Sequence, residues 1–135
     1  MRIISVALPF IAAMALVLSG FSAAHGADAQ KPKQGKLLHV VAFKFKDSAT
    51  NEQIKKVETA FTSLPRKISQ IEKLEWGTNN SPEKLNKGCT HGFILTFKSE
   101  KDRDDYLVHP AHKEFGSLVG PLLDDVFVID FWTQN

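Results

Sequence analysis

Several side chains capable of acid–base chemistry follow one another in the last third of the chain. Tyr106 precedes His109-Pro110, and His112 comes two residues after the proline. Because helices disfavour the residue before a proline, we expect His109 to be extended and Pro110 to open a short helix, with His112 in its first turn. The positive end of that helix disfavours an imidazolium, so a neutral His112 could act as a general base. Tyr106 could donate a hydrogen bond to a developing oxyanion, and such a pair suits proton abstraction next to a carbonyl.

The same three side chains also have a structural interpretation. His109 could cap the short helix, His112 could bond a backbone carbonyl, and Tyr106 could be an amphipathic core residue. The residue types alone leave both interpretations open. His112 and Tyr106 are therefore candidate catalytic residues, and His109 is a candidate ligand-binding residue.

Further polar candidates lie on the strands expected around this segment. Asp130 interrupts an apolar strand, and a buried carboxylate needs a partner. If the last strand lies antiparallel to the first, Asp130 falls beside His39, in a pair that is either structural or orienting. His91 begins the third strand and could line a cavity or satisfy a backbone group. The histidine spacing matches no H-E-x-x-H or paired-cysteine pattern, so we predict no metal and no cofactor.

The hydrophobic pattern predicts four strands and two main helical segments that position these side chains. Thr50-Asn-Glu-Gln53 forms a capping box for a helix expected to end before Pro65, and Ser99 caps the second helix. The strands are expected at residues 37–46, 71–77, 90–98 and 126–132. The order β-α-β-β-α-β is the ferredoxin-like split pattern of the α+β class. We therefore expect an antiparallel four-stranded sheet with spatial order 4-1-3-2 and helices on one face.

Two of these strands are apolar on both faces. Residues 40–43 and 126–129 run without a polar residue, whereas a sheet with one wetted face alternates. The helix-free face therefore needs a cover, and a second copy of the chain is the simplest one, which predicts a homodimeric α/β barrel. On the helix side we expect an apolar cavity for a small hydrophobic ligand, lined by Phe43, Phe93, Phe61 and Tyr106.

The N-terminal stretch is typical of a signal peptide. Met1-Arg2 is a short positive region, residues 3–21 are almost wholly apolar, and Ala27-Asp28-Ala29 fits an A-x-A cleavage site. We expect a signal peptide at residues 1–29, a linker at 30–36 and export to the periplasm or the medium. Cleavage would leave no stable membrane insertion. The alternative is an uncleaved anchor, because the apolar run is nearly long enough to span a bilayer.

Charge and cysteine content exclude other classes of function and structure. The formal net charge is +2, from 17 basic and 15 acidic residues, with no basic block that would predict nucleic-acid binding. Cys89 is the single cysteine, so no disulfide can form within the chain. A free thiol, an intermolecular bridge and a buried inert cysteine all remain open for it.

The domain at residues 37–135 resembles the stress-responsive A/B-barrel (Dabb) family, and the joint order of several short segments carries this resemblance. The most specific of them is His109-Pro110-Ala111-His112, followed by Phe115. The others are, in chain order, Leu38-His39-Val40-Val41, Phe43-Lys44-Phe45-Lys46, Leu64-Pro65, Trp76-Gly77, Gly88, Thr90-His91, Tyr106-Leu107 and Val126 to Phe131.

The resemblance implies a ferredoxin-like protomer and a dimeric barrel, but no single activity. Most members have no assigned reaction, and some plant members are stress-induced or antimicrobial. One plant member is a polyketide cyclase that uses a tyrosine and a histidine at the positions matched here by Tyr106 and His112. Related dimeric barrels include monooxygenases and haem-degrading proteins. Three functions therefore remain: a protective dimer that binds a hydrophobic ligand, a cyclase-like or lyase-type enzyme, and a haem-handling or monooxygenase-like protein. The predicted export departs from the intracellular cyclase-like members.

Overall fold

Four antiparallel strands form one sheet and, numbered along the chain, lie in the order 2-3-1-4, which is the spatial order expected from the sequence. The computed structural model describes residues 35–134, so the predicted signal peptide and most of the predicted linker lie outside the described residues. The elements are β1 (Leu37–Phe45), α1 (Asn51–Lys67), β2 (Lys73–Thr78), β3 (His91–Phe97), α2 (Glu100–Val108), α3 (Pro110–Val119) and β4 (Leu123–Trp132), with a short 3-10 turn, Gly120–Leu122, before β4. A search of the described helices found none long and apolar enough to cross a membrane.

Helix α1 begins as the sequence predicts but ends later. The Thr50 hydroxyl accepts from the Gln53 N–H and the Gln53 side chain accepts from the Thr50 N–H, which completes the capping box. The expected end before Pro65 is wrong, because the helix continues to Lys67 with the proline inside it. The missing proline N–H costs one helical bond, but the Ile68 N–H still bonds the Leu64 carbonyl at 2.9 Å. Both of these side chains are buried, and their packing holds the last turn in place.

The helix-facing side of the sheet carries the core. Alternate residues of β1 and β3 point into it, including Val41, Phe93 and Leu95, and all three are buried. Phe61 of α1 stacks on Phe93 at a ring-centroid distance of 4.1 Å and packs against Phe115 of α3 at 4.7 Å. Aromatic rings from α1 and α3 thus join the helices to the sheet.

The opposite side of the sheet has no helix and presents apolar side chains to solvent. Phe127 is 54% exposed, and Ile129 and Phe131 next to it along β4 are also exposed. Val126 and Val128, which point to the helix side of β4, are exposed as well. The helix-free face is therefore as apolar as the sequence predicts, and the part of β4 around Val126 and Val128 is uncovered on both of its faces.

Replacing Phe61 by alanine should lower the free energy of unfolding by about 3–5 kcal/mol, because a ring that is 1% exposed would leave a cavity between helix and sheet. Urea unfolding at one fixed protein concentration measures this change. Val108→Ala is the control: that side chain is 63% exposed, and its loss should change stability by less than about 0.5 kcal/mol. Equal losses for the two variants would contradict the assignment of the core.

Candidate functional site

The break between α2 and α3 forms as the sequence predicts. His109 is extended, with φ −64° and ψ 137°, and Pro110 is the first residue of α3. The His109 Nδ1 accepts a hydrogen bond from the Ala111 N–H at 3.1 Å, so this imidazole caps α3. Of the two roles that the sequence left open for His109, the observed hydrogen bond is that of the structural one, a helix cap.

His112 lies in the first turn of α3, and one of its ring nitrogens hydrogen-bonds the backbone. Its Nδ1 lies 3.1 Å from the Leu107 carbonyl oxygen, which can only accept, so Nδ1 is the donor. The neutral ring then keeps its lone pair on Nε2. Burial lowers the pKa of His112, the hydrogen bond to Leu107 opposes this shift, and the electrostatic interaction with His39 lowers the pKa further. His112 is half-buried and favours the neutral form expected of a general base.

Tyr106 lies directly against His112. Their ring centroids are 4.3 Å apart at an interplanar angle of 44°. Tyr106 is 1% exposed, and burial together with the nearby charge of Asp130 raises the pKa of its phenol, so the hydroxyl stays protonated. Within residues 35–134 no group hydrogen-bonds this hydroxyl, which leaves its proton available to donate.

The predicted pairing of Asp130 with His39 is present. The two residues are register partners on β4 and β1, and Asp130 Oδ1 lies 2.6 Å from Nδ1 of the buried His39. The His39 ring in turn contacts Tyr106 edge-on at 5.7 Å between centroids. The antiparallel register therefore fixes an imidazole behind the tyrosine ring.

Arg103 is the site residue that the sequence reasoning missed. Its Nη1 donates to Asp130 Oδ2, so the carboxylate bridges the arginine and His39. Arg103 stands three residues before Tyr106 on α2, and residues at this spacing share a helix face. That spacing, combined with the expected need of Asp130 for a partner, was the signal that could have identified it.

These five side chains form one continuous cluster that runs from charged to neutral groups. Arg103 and Asp130 carry the charges, His39 connects them to the tyrosine, and Tyr106 and His112 end the chain of contacts. The cluster therefore combines a neutral imidazole with a free Nε2 and a protonated phenol. Such a pair can take a proton from carbon and donate a hydrogen bond to oxygen.

His91 belongs to a different part of the sheet. His39 pairs with Leu95, and His91 lies four residues from that position along β3. Its Nε2 is 3.2 Å from Glu58 Oε1 and its Nδ1 is 2.8 Å from the Thr90 hydroxyl. The structure thus separates His91 from the His112 cluster. Across residues 35–134, no group of three or more histidine, cysteine or acidic side chains is arranged to hold a metal ion.

The aromatic residues expected to line a ligand cavity are packed against each other. Phe43 and Phe93 lie 5.2 Å apart between ring centroids, and both are buried together with Phe61 and Tyr106. The space assigned to a ligand between sheet and helices is therefore filled by protein side chains in this structure. A groove of about 830 Å³ lies on the helix-free face instead, beside the loop that carries Leu85 and the half-buried Cys89.

Comparison with known proteins gives consistent matches over the same region. The model of the stress responsive A/B barrel domain (Dabb) matches residues 37–133. The stress-response A/B barrel domain-containing protein HS1 of Arabidopsis thaliana is 36% identical over 98 residues, which cover 73% of this chain and 90% of that protein. Olivetolic acid cyclase of Cannabis sativa is 28% identical over 93 residues, or 69% of this chain and 92% of the cyclase.

A solved structure shares the fold. The crystal structure of a dimeric protein of unknown function with a ferredoxin-like fold, from Bacteroides fragilis, matches with a TM-score of 0.61 and 28% identity. The match covers 74% of this chain and 98% of that one. The sequence-based expectation of an α+β ferredoxin-like domain is thereby confirmed. Because the family model spans both the sheet and the Tyr106–His112 segment, this chain belongs to the stress responsive A/B barrel domain (Dabb) family.

Proposed function

We propose that this protein is an exported homodimer that performs acid–base chemistry on a small carbonyl compound. The observation that carries the proposal is the contact of a neutral His112 with a protonated Tyr106, whose rings are 4.3 Å apart. His112 presents a free Nε2, and Tyr106 presents a hydroxyl that no other group in residues 35–134 uses. The relationship to a plant cyclase supports this type of reaction.

The proposed step is proton abstraction from the carbon next to a carbonyl. His112 Nε2 takes the proton, the electron pair of the C–H bond forms a carbon–carbon double bond, and the π pair of the carbonyl moves to its oxygen. The Tyr106 hydroxyl donates a hydrogen bond to the resulting enolate. The enolate carbon then attacks a second carbonyl of the same molecule, whose π pair moves to its oxygen and takes the proton back from His112. Alternatively, the enolate carbon recovers that proton itself. The low dielectric around the buried tyrosine strengthens its hydrogen bond to the developing charge.

Three residues support this pair without touching the substrate. Arg103 holds Asp130, Asp130 holds His39, and the His39 ring packs against Tyr106. The electrostatic interaction with His39 also favours the neutral form of His112. We therefore assign Arg103, Asp130 and His39 as positioning residues of the proposed site.

Homodimerisation follows from the uncovered sheet face. Phe127, Ile129 and Phe131 form part of an apolar surface that is too continuous to face water in a stable protein. A second copy offers the same surface and covers it by two-fold symmetry. The Bacteroides fragilis relative, which is described as dimeric, supports this assignment.

A second candidate is ligand binding without turnover. It is favoured by the burial of Tyr106 and by the helix-capping role of His109, both of which have purely structural explanations. In that case a small hydrophobic molecule would displace part of the Phe43 and Phe93 packing and make no covalent change. An assay of carbon-bound proton exchange separates the two candidate functions, because binding alone exchanges no protons.

The catalytic proposal predicts exchange of carbon-bound protons. In deuterated water, the protein should catalyse deuterium incorporation next to the carbonyl of a medium-chain methyl ketone such as 2-nonanone, followed by NMR. His112→Gln keeps a donor for Leu107 but removes the base, and it should lower the exchange rate about 10²–10⁴-fold. Tyr106→Phe should lower it about 10²-fold.

A matched variant distinguishes the base from the neighbouring histidine. His109→Asn retains a side chain that caps α3 and should keep most of the exchange activity. Equal activity of wild type and His112→Gln would contradict the catalytic role. Saturable binding of 2-nonanone without any exchange would favour the binding-only candidate.

The lowered pKa of His112 predicts lower stability in acid. The unfolded chain takes up a proton on this histidine near pH 6.5, whereas the folded chain does so only at lower pH. The free energy of unfolding should therefore decrease as the pH falls from about 6.5 to the folded pKa, and this contribution should change no further below it. Imidazole ¹⁵N NMR measures the pKa, and His112→Gln should show a smaller loss of stability in this range.

Export and subunit count can be tested together. Native mass spectrometry of protein purified from its own host should give the mass of two chains that each begin at Gln30, because cleavage is expected after Ala29. A monomer would contradict the homodimer, and chains that retain residues 1–29 would contradict signal cleavage. The two outcomes are read from separate features of one spectrum.

A further inference from the structure

In one row of residues across the helix-free face, side-chain size decreases from a phenylalanine at one end to glycine at the other. Ala42 of β1 is the register partner of Phe127 on β4 and of Gly92 on β3, and Gly92 is the partner of Gly77 on β2. These four residues therefore lie side by side at one height on the sheet and point away from the helices. Phe127 projects at one end of the row, and Ala42, Gly92 and Gly77 form a trench along the rest.

The two glycines of the trench are not required by the chain's own fold. A Cβ built at Gly77 or Gly92 meets nothing within 4 Å, and neither residue has a positive φ. Glycine weakens the interior of a strand and often marks a place where another molecule approaches closely. The trench lies in the groove on the helix-free face, which Phe127 and Leu85 also line.

We propose that Phe127 of each protomer inserts into the Ala42–Gly92–Gly77 trench of a second copy of this chain. The inference rests on the homodimer proposed above and adds the contact that fixes how the two sheets align. A two-fold axis parallel to the strands preserves the height of each residue and reverses the strand order. The partner's Phe127 then lies over Gly77, and Ala42 lies over the partner's Gly92.

The alternative two-fold axis gives a poor fit. An axis perpendicular to the strands and parallel to the sheet keeps the strand order, so the two Phe127 rings would collide and the two trenches would face each other across a void. Packed sheets lie about 10 Å apart, so a large side chain on one sheet needs a small one opposite it. The row therefore selects the alignment that places a phenyl ring over glycine at two equivalent positions.

Sedimentation equilibrium of the full mature chain and its variants tests this contact. Phe127→Ala should raise the dimer dissociation constant about 10- to 100-fold, because a buried aromatic anchor is removed. Gly77→Leu should raise it by a similar factor, because the trench is filled. In the double variant F127A/G77L the new leucine occupies the space left by the phenyl ring. The fold-increase in the dimer dissociation constant of this variant should therefore be well below the product of the fold-increases of the two single variants.

Val108→Ala is the control, since Val108 is exposed on α2 and lies outside the sheet. It should leave the dissociation constant unchanged. Thermal unfolding at concentrations where all variants are monomeric checks that Gly77→Leu folds, as the free space around Gly77 predicts. Gly92→Leu, in the same trench, provides a second test if Gly77→Leu does not fold.

The possible negative results distinguish an error in the trench contact from an error in the proposed homodimer. A wild-type dimer whose dissociation constant changes with neither single variant overturns the trench contact and leaves the homodimer intact. Single effects that simply multiply in the double variant also overturn it, because they show that Phe127 and Gly77 act independently. A wild-type chain that is monomeric at micromolar concentration overturns the proposed homodimer and this inference with it.

Discussion

The organisation of this domain depends on a single constraint, which is that all three helices cover the same side of a four-stranded sheet. On the covered side, aromatic residues from α1, β1 and β3 fill the space between the layers. On the other side, no element within residues 35–134 covers the apolar residues of β4. Because strand residues alternate between the faces, one sequence supplies both a closed core and an exposed apolar surface. The candidate site and the proposed dimer contact lie on these two opposite sides.

The candidate site depends on the pairing of β4 with β1. This register brings Asp130 beside His39, and α2 adds Arg103 to the same carboxylate. The result is a half-buried carboxylate with partners on both of its oxygens, which avoids the cost of an uncompensated charge. Tyr106 packs against this arrangement and His112 packs against Tyr106. The position of the neutral pair thus follows from the ion-paired group beside it.

Local sequence signals predicted most of the elements because their causes are local. The capping box at Thr50, the cap at Ser99 and the proline after His109 each act within one helical turn, and all three behave as expected. The end of α1 was mispredicted because a proline near the end of a helix costs little when the adjacent side chains are buried. The link between His39 and Asp130 was predictable, since antiparallel order alone makes them neighbours.

Other features depend on how helices and strands pack against each other, and local sequence patterns do not predict these contacts. Arg103 looked like one of several charged residues of α2 until the helix was placed over Asp130. Phe43 and Phe93 were equally compatible with a cavity lining and with a filled core, and only their ring distances distinguish the two. The alignment of Gly77 and Gly92 required the register of three strands. Side-chain contacts between layers are thus the part that the structure adds.

The edge strand β4 has a consequence for the lifetime of a single subunit. It has apolar residues on both faces, and its outer backbone groups have no ladder neighbour within residues 35–134. An unprotected edge of this kind can recruit a strand from any unfolded chain nearby. Packing of a second subunit would cover the apolar face of β4 and is a second-order event, so newly folded chains at low abundance keep that face exposed for longer. Local crowding at the place where the chain is released would then decide how much of it reaches an assembled form and how much aggregates.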